Sequence, residues 1–179
     1  MRRFFFLFGL LLLATAGMSA QDLTNTIQPG DKTALLMVHF GTTYDETRTK
    51  TIDAINAKAQ AAFPELAFRE AYTSRIVIRR LKARGIEKQT PLEALFALRA
   101  EGFTRVIVQS STLLEGAEME SLRRDVASVE GFFREIRIGT PLLYDVEDCR
   151  KVVDILATRH ADAADGKQKA HAGLGGGGT

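Results

Sequence analysis

Leu35-Leu36-Met37-Val38-His39-Phe40-Gly41-Thr42-Thr43-Tyr44-Asp45-Glu46-Thr47-Arg48 is the stretch that decides how this chain folds. Four consecutive apolar residues, Leu35 to Val38, suit a strand buried on both faces. The run breaks into His39-Phe40-Gly41-Thr42-Thr43, a small polar turn with a glycine for tight backbone geometry. A helical period then begins at Asp45. Buried strand, Gly/Thr turn and helix together form the opening unit of an open α/β sheet. Ligands of such sheets bind beyond the carboxyl ends of the strands. His39 and the turn after it are therefore the first candidates for a site.

Outward from that unit, the pattern continues in order. The first helix is expected from Asp45 to Phe63, with Ile52, Ile55, Ala59, Ala62 and Phe63 on one face and Pro64 as its stop. Leu66 to Tyr72 reads as a strand, and Ser74 caps a helix carrying Ile76, Ile78 and Leu81 that Gly85 ends. Thr90-Pro91 is an N-terminal helix signal ahead of Leu92, Leu95, Phe96 and Leu98, with Gly102 closing the helix. Arg105 to Gln109 is a buried strand, Ala117 to Val129 a helix with Leu122, Val126 and Val129 inward, and Glu135 to Gly139 a short strand. Asp145 to Thr158 completes the set as a helix, with Cys149 expected as a small packed residue. The order β-α-β-α-α-β-α-β-α implies an α/β fold: a mostly parallel open sheet with helices on both faces and flavodoxin- or Rossmann-like layering.

The ends read differently. Arg2-Arg3, the apolar run Phe4 to Leu13 and the small residues up to Ala20 have the order of a secretory signal peptide, with cleavage expected after Ala16 or Ala20. The run is shorter than the ~20 residues of a spanning helix, so no membrane association is expected after cleavage. Residues 21–32 form a polar lead-in, 33–158 the α/β domain, and 159–179 a linker and Gly-rich tail. Without Arg2 and Arg3 the chain carries 22 basic and 22 acidic residues, which gives no electrostatic case for a nucleic-acid partner. Cys149 is the single cysteine, so no intrachain disulfide forms.

Three polar clusters fall at strand ends: His39 with Phe40, Gly41, Thr42 and Thr43; Thr73 with Ser74 and Arg75; and Gln109-Ser110 through Glu115, Gly116 and Glu118. Neighbouring strands should bring all three to one edge. There is no P-loop, no G-x-G-x-x-G after the first strand, no nucleophile elbow and no zinc spacing, which removes support for nucleotide and acyl-transfer chemistry. Each candidate also has a plain structural reading. His39 is equally a hydrogen-bonded strand-end group, Gly41-Thr42-Thr43 a helix-starting turn, Arg75 a solvated first-turn residue, and Glu115 and Glu118 first-turn acids favoured by the helix dipole.

In colinear order, ALLMVHFGTTYDETRTKTIDAI, AYTSRIVIRRL, TPLEAL, GFTRVIVQS and the Glu-Gly-x-Glu of Glu115 to Glu118 resemble the sirohydrochlorin cobaltochelatases, class II chelatases of anaerobic cobalamin synthesis. The likeness covers about Thr33 to Leu156. It implies two similar α/β halves with a tetrapyrrole between them, and ATP-independent insertion of Co²⁺, or Fe²⁺, into sirohydrochlorin. On that reading His39, at its strand end, is the one plausible imidazole left in the cleft and so the expected catalytic and metal-binding group. Phe40, Gly41, Thr42, Thr43, Ser74, Arg75, Gln109, Ser110, Glu115, Gly116 and Glu118 would then grip the substrate. A leader peptide on such a chain implies a periplasmic form, and periplasmic members are associated with haem.

The chain departs from the family pattern in two places. The family's second half opens with Gly-His-Gly-Thr, where this sequence has Gly176-Gly177-Gly178-Thr179, and the loop after the third strand has Thr112 where a histidine is frequent. The expectation is therefore the N-terminal half of a chelatase, with a homo-oligomer rebuilding the cleft. The alternatives are a non-enzymatic exported module that binds tetrapyrrole or haem, or an inactive half.

Overall fold

Four strands run parallel in the order β2-β1-β3-β4 in the computed structural model, which describes residues 30–159. The strands are β1 Thr33–His39, β2 Ala67–Tyr72, β3 Arg105–Ser110 and β4 Glu135–Ile138. β1 lies at the centre, with Met37 opposite Glu70 and His39 opposite Tyr72 on one side, and Val38 opposite Ser110 on the other. Leu35 to His39 are all buried, as a strand covered on both faces requires. The carboxyl ends of β1, β2 and β3 thus form one edge, as the strand pattern predicts.

Alternation along β1 sorts the two faces. Ala34, Leu36 and Val38 join Ala71, Val106 and Val108 in the larger core. That core is closed by α4 (Pro91–Ala100) through Ala94, Leu95 and Leu98, and by α5 (Ala117–Val129) through Met119, Leu122, Val126 and Val129. Thr90 caps α4 with a full capping box: its side chain accepts from Glu93 N, while the Glu93 carboxylate accepts from Thr90 N. On the opposite face, Leu35 and Met37 pack with Ala59, Ile55 and Phe63 of the first helical segment and its end.

That first helix is not uniform. α1 (Asp45–Arg48) passes into a π-helical turn, Thr49–Asp53, before α2 (Ala54–Ala62). The extra residue in the turn resets the helix phase. Ile52, Asn56 and Ala59 are buried, whereas Ala62, expected on the inner face, is exposed. α3 (Arg75–Lys82) then packs Leu81, with Val77 and Ile78, against Tyr72 and Ile52.

Some positions expected inside lie outside. Ile76 is 55% exposed because the inward stripe of α3 runs through residues 77, 78 and 81. Phe96 is 53% exposed because Ala94, Leu95 and Leu98 define the inward stripe of α4, and its ring sits 6.3 Å from that of Phe132. β3 extends one residue further than expected, to Ser110. Residues 143–159 form a separate unit holding the last helix, α6 (Val146–Arg159). Within it Cys149 is exposed, which corrects its reading as a packed residue. Asp148, Lys151, Val152 and Ile155 are the sheltered positions of α6, and residue 149 falls off that stripe. Among the described residues no helix is long and apolar enough to cross a membrane. The leader, most of the lead-in and the Gly-rich tail lie outside the described residues.

Candidate active site at the strand ends

His39 ends β1 on the face covered by α2, and only 1% of it is exposed. Both ring nitrogens are engaged. Nε2 lies 2.9 Å from Asn56 Oδ1, and Nδ1 lies 2.8 Å from Ser111 Oγ. Behind it, Asn56 Nδ2 donates to Glu70 Oε2 at 2.5 Å, and Lys88 Nζ donates to Glu70 Oε1 at 2.5 Å. A connected polar row therefore runs from Ser111 through His39, Asn56 and Glu70 to Lys88. Its far end lines a recess formed by Glu70, Glu87, Lys88 and Gln89.

Tyr72 walls the imidazole. Its ring stands edge-on to His39 at 6.3 Å, and the Lys88 ammonium lies 5.1 Å from its centroid. Burial lowers the pKa of His39 below 6.5, outweighing the Asn56 hydrogen bond and the Glu70 charge that would raise it, while Lys88 adds to the lowering. The imidazole is therefore neutral near pH 7, a state able to accept a proton or ligate a metal. Burial also raises the Tyr72 phenol, with the Glu70 charge second, so that hydroxyl keeps its proton.

The loops beyond the three strands are laced together. Thr73 N donates to His39 O at 2.8 Å, Ser74 N to Phe40 O at 3.2 Å and Ser111 N to Val38 O at 2.9 Å. Gly41 has φ +96°, and a Cβ there would stand 2.4 Å from the Tyr72 ring, so the turn after β1 needs glycine for two reasons. Thr42 Oγ1 accepts from Tyr44 N at 3.2 Å, and Thr43 O accepts from Arg84 Nη1 at 2.6 Å. Thr73 Oγ1 donates to Glu118 Oε2 at 2.6 Å, tying the loop after β2 to the start of α5. Apolar side chains stand exposed along this edge: Phe40 at 54%, Leu113 at 57% and Leu114 at 63%.

The remaining expected site residues divide by what they touch. Ser74 caps α3 by accepting from Val77 N at 3.4 Å, and Arg75 is exposed at its first turn. Glu115 pairs with Arg123 at 2.9 Å, and Gly116 is the N-cap of α5. Gln109 is tied to backbone at the strand ends: its Nε2 donates to Ser110 O at 2.8 Å and to Thr140 O, just past β4, at 3.1 Å. Ser110 Oγ accepts from Thr112 N at 3.2 Å and lies 3.0 Å from Thr112 Oγ1. The serine that reaches His39 is its neighbour Ser111. Ser111 lies in the third polar cluster without being singled out there, and sequence reasoning missed Asn56, Glu70 and Lys88. Asn56 alone carried a signal, an amide four residues from both Ile52 and Gln60 on the stripe of Ile52, Ile55 and Ala59. Met119 packs fully buried in the core, as a helix-packing residue should. Among the described residues no three His, Cys, Asp or Glu side chains cluster to hold a metal.

Comparison with known proteins supplies the family. Residues 33–177 match the model of the family described as Cobalt chelatase (CbiK). A sirohydrochlorin cobaltochelatase of Salmonella typhimurium is 37% identical over 126 residues, 70% of this chain and 48% of that protein. The sirohydrochlorin cobaltochelatase CbiKC of Nitratidesulfovibrio vulgaris is 32% identical over 117 residues, 64% of this chain and 41% of that protein. The chain thus spans less than half the length of these curated relatives. With a matching region that takes in every strand and the whole His39 edge, the chain belongs to the cobalt chelatase (CbiK) family.

Proposed function

We propose that this chain binds sirohydrochlorin at the carboxyl edge of β2-β1-β3 and promotes insertion of Co²⁺ into it. The observation that carries the reading is His39: a buried, neutral imidazole at the end of the central strand, with one ring nitrogen turned to the loop after β3. Insertion requires a group that takes pyrrole protons and touches the metal, and a neutral imidazole does both. Phe40, Leu113 and Leu114 offer an apolar platform for a macrocycle, and Arg75 is a solvent-facing guanidinium for an acidic side arm. ATP has no role in this scheme, Fe²⁺ is an alternative metal, and two copies facing each other complete the cleft. The leader-like N-terminus supports a periplasmic location for the reaction.

The test is metal insertion by the chain beginning at Gln21, with anaerobic sirohydrochlorin and Co²⁺, followed by the visible spectrum. Acceleration over the protein-free control, lost in His39→Ala, is the expected result. No acceleration at any protein concentration sinks the enzymatic reading. A second reading, a tetrapyrrole or haem binder without turnover, draws on the fact that both nitrogens of His39 are already hydrogen-bonded. It predicts a spectral shift on adding sirohydrochlorin or haem without metal, and no insertion.

A further inference from the structure

The polar row behind His39 has a direction, and that direction selects which nitrogen can react. Glu70 is a carboxylate paired to Lys88 at 2.5 Å, so it only accepts hydrogen bonds. The Asn56 atom facing it at 2.5 Å must then be the amide NH₂, which leaves the amide oxygen facing His39. An oxygen 2.9 Å from Nε2 demands a proton there. A neutral imidazole protonated at Nε2 has its lone pair on Nδ1, where the Ser111 hydroxyl donates at 2.8 Å. The Asn56 bond is fully buried, whereas the Ser111 bond is only partly so, and Ser111 lies in the loop after β3 at the strand-end edge. The proton is held on the fully buried side, and the lone pair faces Ser111 and the loop after β3.

We propose that Asn56 and Glu70, with Lys88 behind them, are positioning residues that fix His39 as its Nε2–H tautomer, so that Nδ1 is the atom that reacts. This rests on the chelatase reading for its chemistry but not for its geometry. In that chemistry the Ser111 hydroxyl yields Nδ1 to the substrate. Two pyrrole N–H protons leave in turn: each N–H bond breaks as an Nδ1–H bond forms, and the electron pair left on that pyrrole nitrogen binds the divalent metal. Each proton then passes from Nδ1 to water. With the other tautomer Nδ1 would already carry hydrogen and the step could not occur. Neutral acceptors of this kind commonly change activity by roughly 10- to 100-fold when the residue orienting them is removed.

The tautomer is read directly by long-range ¹H–¹⁵N NMR on ¹⁵N-histidine protein, which holds three histidines in the full chain, with His39→Gln assigning the signal. In the wild type His39 should show a protonated Nε2 and a pyridine-like Nδ1. Glu70→Leu frees the Asn56 amide to rotate, and the signal should move towards the Nδ1–H form. Glu70→Gln keeps an accepting oxygen for Asn56 and should retain the wild-type pattern, while Ser111→Ala should leave Nε2 protonated. A wild-type Nδ1–H pattern, or an unchanged one in Glu70→Leu, overturns the proposal. Should Glu70→Leu not fold, Asn56→Ser removes the same contact and reads the same signal. In the insertion assay Glu70→Leu should lower kcat roughly 10- to 100-fold with little change in the KM for sirohydrochlorin, and an unchanged kcat overturns the positioning role. A locked Nε2–H tautomer in a chain that inserts no metal refutes the chelatase reading while leaving the geometric assignment standing.

Discussion

Replacing Gly41 with alanine tests the turn that carries the candidate site. Its φ of +96° is a conformation that side chains rarely adopt, and the new Cβ would lie 2.4 Å from Tyr72 Cδ2 and 2.9 Å from Cε2 and Cγ. The backbone part costs about 1–2 kcal/mol. The contact part is a side chain forced into a packed ring, about 1–3 kcal/mol. Tyr72 cannot swing away freely, because it is fully buried between His39, Ile52 and Leu81. The sum is about 2–5 kcal/mol, a large share of the roughly 5–15 kcal/mol that holds a domain together. Gly85 supplies the control. Its φ is +77° and a Cβ there meets nothing within 4 Å, so Gly85→Ala bears the backbone part alone. Urea unfolding of both variants, fitted with a common slope, isolates the contact with Tyr72 as the difference. In a Tyr72→Leu background that difference should shrink, as a double-mutant cycle would register. If Gly41→Ala costs no more than Gly85→Ala, the tight approach of turn to ring is refuted, and with it the placement of Phe40, Thr42 and Thr43.

Other outcomes rest on single groups. Thr90→Ala removes one arm of the capping box on α4 and should cost about 1 kcal/mol of unfolding free energy, read as a lowered urea midpoint. The paired effect of acid comes from Glu93, whose backbone and side-chain bonds from Thr90 hold its carboxyl below 4.5; that stabilisation is present above the unfolded value and is lost as pH falls through the folded one, so wild type and Glu93→Gln should converge in acid. His39 acts in the same direction from a different cause. Burial holds it below 6.5, so the unfolded chain takes up a proton first, and stability is full above about pH 6.5 and declines below it by at most about 1.4 kcal/mol per pH unit. Midpoints at about pH 7.5 and about pH 5.5 should therefore separate more in the wild type than in His39→Gln, and equal separation would falsify the buried-neutral assignment.

The fold was legible because local signals and layer rules agreed. The apolar run of β1, Thr90-Pro91 ahead of α4 and the Ala117–Val129 stripe each specify one element, and parallel order comes from their alternation. Exposure of Ile76 and Phe96 was not legible, because apolarity alone does not say on which side of a short helix a residue falls. The π turn at Thr49–Asp53 was hidden for a related reason: one added residue rotates the rest of the helix, and nothing in Thr-Lys-Thr-Ile-Asp announces it.

The site shows where a pattern stops and a contact begins. His39 was readable because a strand end in an open parallel sheet is a place, and a polar residue at a place has few alternatives. Its partners come from three different segments: Asn56 from α2, Glu70 from β2 and Ser111 from the loop after β3. Only register joins them. Met37 opposite Glu70 and His39 opposite Tyr72 put Glu70 one pleat behind the imidazole on the same face, and Asn56 spans the gap from the helix above. The amide of Gln109 is held at the same edge, between Ser110 O and Thr140 O just past β4. A lone histidine beside hydroxyls reads in sequence as either ligand or filler. The proposed tautomer bears on that choice: the Glu70 carboxylate, two hydrogen bonds away from the imidazole, accepts from Asn56, and an Nε2–H imidazole facing the Asn56 oxygen would keep its lone pair towards Ser111.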